Sequence, residues 1–344
     1  MTSANATTRR HCCVALGGLL GALLVGCQGE RPAPRAPSEP VLEALRLRPI
    51  SELVVGAGLR WVVLAEPRAV FGNVALSPAL ARLVPPVRRA VFEKVTAIDL
   101  AALEHVVVAG YDESTLFVLD GVTDPLEAEK RFRERLLHDV IRKSYRPDAI
   151  WTHGRTAMGK LRAMSALSPG VVAIEGGGSL HAKVALLFAI GRLHKSPRAL
   201  SLPDMNLVLE GLGDAPIRAL AVGPFAGDWD AALQGMLGVC TVVGGSVRLV
   251  DEGQLDLSIR LAGGWGDDAA RAAENLHAGW RNLVQSSLGR LLQLDEPIDG
   301  PRVEGRGELV GLDVRVDGVK LLDGLYDLVA ADIGEILAMG RTET

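Results

Sequence analysis

The stretch Leu255-Asp256-Leu257-Ser258-Ile259-Arg260-Leu261 alternates apolar and polar residues without a break, and Leu312-Asp313-Val314-Arg315-Val316-Asp317 does the same. Successive side chains of a strand point to opposite faces, so strict alternation predicts one buried face and one wet face. That is the pattern of antiparallel sheets. Strands of a doubly wound parallel sheet are covered on both faces and read as unbroken apolar runs. The expected fold class is therefore α+β, with antiparallel sheets and helices packed on one face. The same observation argues against the nucleotide folds built on parallel sheets.

The elements around these strands follow a repeated order. In the second half, Ile217–Val222 reads as a strand, Asp228–Leu237 as a helix, and Val239–Val250 with Leu255–Leu261 as a hairpin. Asp268–Leu294 reads as one long helix, with Leu276, Trp280, Leu283 and Leu291 on one face. A hairpin over about Val303–Val316 and a helix over Lys320–Ala338 complete it. The first half opens with a strand at Leu59–Ala65 and two short helices, the first capped by Ser77 and broken by Pro85-Pro86. A hairpin pairs Val106–Val108 with Thr115–Leu119. A helix is then expected from Asp124 to about Tyr145, because Phe132, Leu136 and Val140, and likewise Leu137 and Ile141, recur at four-residue spacing. Ile150–Arg155, Lys160–Ala166 and Val171–Glu175 read as a meander, and Ser179 as the cap of a helix to about Lys195. The shared order suggests two similar α+β lobes, residues 41–200 and 201–344, from a duplication. Chance recurrence of common elements is the alternative, since residue identity between the halves is low.

Composition bounds the rest. Of 344 residues, 48% are hydrophobic and 23% charged, as in a folded globular chain, and with 4% aromatics the core must be aliphatic. The formal net charge is -4, and no long basic run appears in the body. Nucleic acid, which needs clustered positive charge to neutralise phosphates, is not an expected partner.

The amino terminus carries the most specific signal. Arg9 and Arg10 precede an uninterrupted apolar and small-residue run, Val14–Val25, which is too short for a membrane span and right for a signal-peptide core. Leu24-Val25-Gly26-Cys27 closes it. This segment resembles the lipobox of bacterial lipoproteins. The resemblance implies removal of residues 1–26, acylation of Cys27 (the lipid-attachment residue, carrying palmitate-type chains) and a membrane held through that anchor. Gln28, where an Asp would favour the inner membrane, implies the outer one. Thr8-Arg9-Arg10 is also similar to the start of a twin-arginine export signal, although His11-Cys12-Cys13 departs from it. Residues 27–40 form the lipidated cysteine and a tether with four prolines after Gly29, spanning about 35 Å at roughly 3 Å per residue. With Cys12 and Cys13 in the leader and Cys27 lipidated, Cys240 alone remains, in the apolar run Val239–Val243, and reads as a buried inert thiol.

Chemical motifs are sparse. Gly154-Arg155-Thr156-Ala157-Met158-Gly159-Lys160 has the spacing of a phosphate-binding loop, but Leu161 stands where Ser or Thr should follow, between probable strands rather than before a helix. Glu175-Gly176-Gly177-Gly178-Ser179 reads as a strand-to-helix turn, and Gly56-Ala57-Gly58 as a plain turn. No histidine has metal-ligand spacing to another His or Cys, so neither metal nor cofactor nor nucleotide is expected. His153, Glu175 and His181 are the one set that could converge as an acid-base or hydrolytic site. The chain therefore reads as a lipid-anchored envelope protein, non-catalytic, binding or scaffolding, with an envelope protein as its partner. The alternatives are an envelope hydrolase at His153, Glu175 and His181, or a carrier of an apolar ligand in a groove between helix and sheet.

Overall fold

The computed structural model describes residues 45 and 49–339, apart from 168, 194–197, 226–235 and 251–252, with side chains as far as 328. The leader 1–26, Cys27 and the tether 27–40 lie outside the described residues, as do His194 and nearly all of the helix expected over Asp228–Leu237.

Twelve strands form one antiparallel sheet: β1 (Leu59–Ala65), β2 (His105–Tyr111), β3 (Thr115–Asp120), β4 (His138–Arg146), β5 (Ala149–Arg155), β6 (Leu161–Leu167), β7 (Val171–Gly176), β8 (Ile217–Val222), β9 (Cys240–Leu249), β10 (Gln254–Gly263), β11 (Asp299–Arg306) and β12 (Leu309–Asp317). Their order across the sheet is β11-β12-β10-β9-β8-β1-β2-β3-β7-β6-β5-β4. At its centre β1 and β8 pair antiparallel, Trp61 opposite Ala221 and Ala65 opposite Ile217. Outward from this seam, β1-β2-β3-β7-β6 on one side follows the same order as β8-β9-β10-β12-β11 on the other, and β4 and β5 extend the first side alone. The α+β class and the antiparallel pairing stand as the alternation predicts. The sheet is continuous across the division expected between residues 200 and 201, and the described residues from Leu45 onward gather into one compact unit.

The helices are α1 (Pro67–Phe71), α2 (Ser77–Leu83), α3 (Pro86–Thr96), α4 (Pro125–Arg133), α5 (Leu180–Ala189), α6 (Pro203–Leu212), α7 (Ala269–Gln285), α8 (Ser287–Leu291) and α9 (Gly318–Met339). They divide between both faces of the sheet rather than one. Ala163 packs with Ala182 and Leu186 of α5, whereas its neighbour Met164 packs with Ala128 and Phe132 of α4. Likewise Arg260 lies under α6 and donates to the Gly211 carbonyl at 3.0 Å, while Leu261 packs with Leu276 of α7. The alternation of β10 hides this, because the polar side chain that α6 covers is satisfied beneath it: Arg260 also holds Asp313 through Nη2 at 2.9 and 3.0 Å.

Three local readings are corrected. The helix expected from Asp124 to Tyr145 stops at Arg133, and His138–Arg146 is β4. β4 is an edge strand with β5 as its sole strand neighbour, so neither face is buried; Leu137, Val140 and Ile141 stay exposed, and two bulges break its period of two. Asp124 does cap α4, accepting from the Leu126 and Glu127 amides at 3.0 and 2.9 Å. The helix expected over Asp268–Leu294 is interrupted at Ser286, whose extended backbone ends α7 and whose hydroxyl caps α8 through the Gly289 amide. The helix after Ser179 ends at Ala189, where Gly191 takes φ +72°, the left-handed terminator that favours glycine.

Candidate functional site

Two places gather functional groups: the start of α5 and the space beneath α3. At the first, the sheet brings together two of the three residues expected from sequence. Glu175 stands next to last in β7, almost fully buried, and Gly177 and Gly178 turn the chain so that His181, on the first turn of α5, folds back over it. A Cβ on Gly178 would collide with the Glu175 carboxylate, so the approach needs glycine there. Oε1 of Glu175 lies 3.0 Å from His181 Nδ1, and Oε2 accepts from the Ala182 amide at 2.9 Å. Burial alone would raise the Glu175 pKa; the hydrogen bonds from His181, Ala182 and Ser114 outweigh it and hold the carboxyl below its usual value. Tyr111 stacks on the His181 ring, centroids 3.7 Å apart, and donates its hydroxyl to the Val55 carbonyl at 3.1 Å. The Tyr111 hydroxyl is pushed far above its ordinary value, burial being the main cause.

His153 does not join them. It lies opposite Ala163 on β6, and Ala163 lies opposite Glu175, so one whole strand separates the two. His153 stacks instead on Trp151 at 4.3 Å, and burial, followed by the nearby Lys183 charge, lowers its pKa. Nor do Ser114, His181 and Glu175 form a nucleophile-base-acid relay. Ser114 Oγ approaches the same Nδ1, at 3.1 Å, that Glu175 uses, whereas a relay needs the two partners on opposite ring nitrogens. What the arrangement does is cap a helix. The Glu175 carboxylate takes the Ala182 amide and the positive dipole end of α5, the place where an exogenous anion could otherwise sit. Ser179, expected to be the cap, makes no side-chain capping bond because Glu175 already occupies the position.

The second place is a cavity of about 630 Å³ on the opposite face of the sheet. Val106 and Val108 of β2, Phe117 of β3 and Ile174 of β7 are among its walls, Phe132 and Leu136 flank it, and Phe92 of α3 roofs it. Its lining contains no Asp or Glu. The polar groups are Thr96, whose hydroxyl is spent on the Phe92 carbonyl at 2.7 Å, and Thr156, Arg135 and Arg162. The roof is loosely held. Thr96 is the one buried residue of α3, while Val87, Val91 and Val95, four residues apart, stand exposed. The size and apolar character are those of a small-molecule site.

No protein-family description matches the chain, and neither does any curated protein. Three solved structures resemble it: crystal form III of TP0453, with TM-score 0.47 and 10% identity over 82% of this chain and 98% of that one; form IV, with 0.42 and 9% over 82% and 96%; and form I, with 0.41 and 10% over 82% and 98%. A likeness this distant carries no argument about activity. Among the described residues, no helix is long and apolar enough to cross a membrane.

The sequence offers a groove between helix and sheet as an alternative without placing it, and it points to neither of two smaller clusters. Glu104, His105 and Asp120 bring ligand atoms within 4.8 Å of one another, because β2 and β3 place His105 opposite Asp120. Glu104 already pairs with Arg68 at 3.0 Å and His105 with Asp120 at 3.2 Å, so the exposed cluster is accounted for as surface ion pairs. Beside α6, a shallow groove of about 300 Å³ is floored by charges of alternating sign. In one row Asp256 faces Arg248 on one side and Arg315 on the other, and Arg315 holds Asp256 through Nε at 2.6 Å. This row is the wet face that the alternation of β10 and β12 predicts. The hairpin assignments, carried to residue register, would have found both clusters.

Proposed function

We propose that this chain is a non-catalytic, lipid-anchored envelope protein that holds an apolar ligand in the cavity beneath α3. The cavity carries this reading. An acyl chain entering it would gain about 0.8 kcal/mol for each methylene taken from water. The loosely seated α3 supplies an entrance, since lifting it breaks few buried contacts. The anchor rests on the lipobox-like segment ending at Cys27, and the proline-rich tether would let the body reach ligands away from its own membrane leaflet. Nothing in the proposal requires bond making, which agrees with a Glu175–His181 pair already committed to capping α5.

The test is a fluorescence titration of the purified protein with cis-parinaric acid, which brightens in apolar surroundings. Saturable binding is expected, with loss of most of it in Val108→Phe, which fills the cavity from β2. No saturable signal in the wild type, or an unchanged signal in Val108→Phe, would refute the reading. For the anchor, the natively expressed chain should begin at Cys27 with added acyl mass, and Cys27→Ala should leave the membrane fraction. An unlipidated, soluble wild type would refute that part.

A further inference from the structure

Resting on that reading, we propose that the ligand is a single acyl chain carrying an anionic head group, and that Arg135, Arg162 and Thr156 receive the head. Arg162 opens β6 on the cavity face, in the same row as Gly176 of β7. Thr156 follows the end of β5, in the turn that leads to β6, and its hydroxyl is buried with no hydrogen-bond partner. Arg135 sits in the turn after α4, two residues before the Leu137 amide reaches the Arg155 carbonyl at 2.8 Å. All three therefore lie at the β5–β6 turn end of the cavity, while Leu103, Leu119 and Val106 line its far part.

The charges there are unmatched. Among the described residues no carboxylate pairs with Arg135 or Arg162, whereas most arginines around them are paired: Arg142 with Glu129, Arg155 with Asp139, Arg146 with Asp148. Arg135 leans over the Phe132 ring at 6.0 Å, and partial burial of its guanidinium lowers its pKa although the residue as a whole is exposed. A buried hydroxyl without a partner and two guanidinium groups without counter-ions, at one end of an otherwise apolar space, match a ligand that is apolar along its length and anionic at one tip. The guanidinium forks suit a carboxylate or phosphate, and the Thr156 hydroxyl can donate to a third lone pair. The plain alternative is that the arginine stems cover apolar surface and their heads seek water.

The experiment compares cis-parinaric acid with its methyl ester, which has the same chain and no charge, on the wild type, Arg162→Met and Arg135→Met/Arg162→Met. The proposal predicts that the acid binds the wild type at least tenfold more tightly than the ester. It predicts that the double variant weakens the acid by that factor and leaves the ester unchanged, so the ester titration shows that the cavity persists in the variant. Equal affinity of acid and ester in the wild type would overturn the head-group proposal while leaving the cavity reading intact. Binding of neither would refute the cavity reading and this proposal with it. Co-sedimentation with phosphatidylglycerol vesicles without uptake of monomeric acid would make a membrane surface the occupant, and would overturn the proposal too.

Discussion

The two sides of the sheet share a strand order and differ in what covers them. Beside β10, β12 and β11, α7 lays Ala272, Leu276 and Trp280 onto Leu261, Val310 and Leu312, all buried, and the interior is filled. Beside β2, β3 and β7, the corresponding face carries α4 at its edge, and the middle is left to the cavity under α3. The same framework supports a close-packed core where a long helix supplies large side chains, and leaves an open space where a short helix with outward-facing valines does not. The last helices differ as well. α9 stays on the α7 face, with Leu321 and Leu322 against that core, whereas α5 crosses to the opposite face.

The contrast can be broken first by truncation. Leu276→Ala should cost about 2–5 kcal/mol, because it empties a filled interior. Phe92→Ala, over the cavity, should cost less than about 1 kcal/mol and chiefly weaken ligand binding. Urea unfolding of the two variants checks both, and equal losses would mean that the first half is packed as tightly as the second.

Enlargement should act in the reverse sense. Val314→Phe, beneath α7, should destabilise by about 1–3 kcal/mol through overpacking, while Val108→Phe should be neutral or stabilising, as read by thermal unfolding. A similar loss at both positions would remove the cavity from the account.

A third prediction concerns the helix that changes face. Glu175 is held below its usual pKa in the folded state, so the unfolded chain binds the extra proton as pH falls. Its contribution is complete above the unfolded value of about 4.3 and is lost as pH drops through the lower folded value. Glu175→Gln should lower stability at neutral pH by about 1–2 kcal/mol and flatten this part of the acid limb, measured by unfolding from pH 7 to pH 3. An unchanged acid limb would deny the carboxylate its role in holding α5.

The smallest effect sharpens the same point. Asp124→Ala should cost about 1 kcal/mol, since Asp124 caps α4. Ser179→Ala should stay within about 0.5 kcal/mol, since Glu175 caps α5. A loss at Ser179 equal to that at Asp124 would contradict the assignment.

Much of the sheet was legible in the sequence because its strands are short apolar or alternating runs set off by turn residues. β1 and β8 begin and end where their apolar runs do, and β10 and β12 follow their alternation. β4 was not legible, because an edge strand with both faces exposed has no burial to impose a period, and its Ile141 falls by chance at helical spacing from Leu137 before it. The break at Ser286 escaped for a different reason: α7 and α8 keep apolar residues in step across it, and one serine suffices to turn the chain. Of the candidate site, Glu175 and His181 could be brought together from local order alone, as a turn followed by a helix. The cavity could not. It depends on Val108, Phe117 and Ile174 lying side by side on three strands and on a helix that fails to fill the space above them. Arg162 looks like an ordinary surface charge until register places Gly154 and Gly176, and no acid, opposite it.

The most direct measurement of the central claim is native mass spectrometry of the purified protein mixed with a slight excess of a long-chain fatty acid. The account predicts one added ligand mass on the wild type and none on Val108→Phe. A wild type that gains no ligand, or a Val108→Phe protein that gains as much, would contradict it.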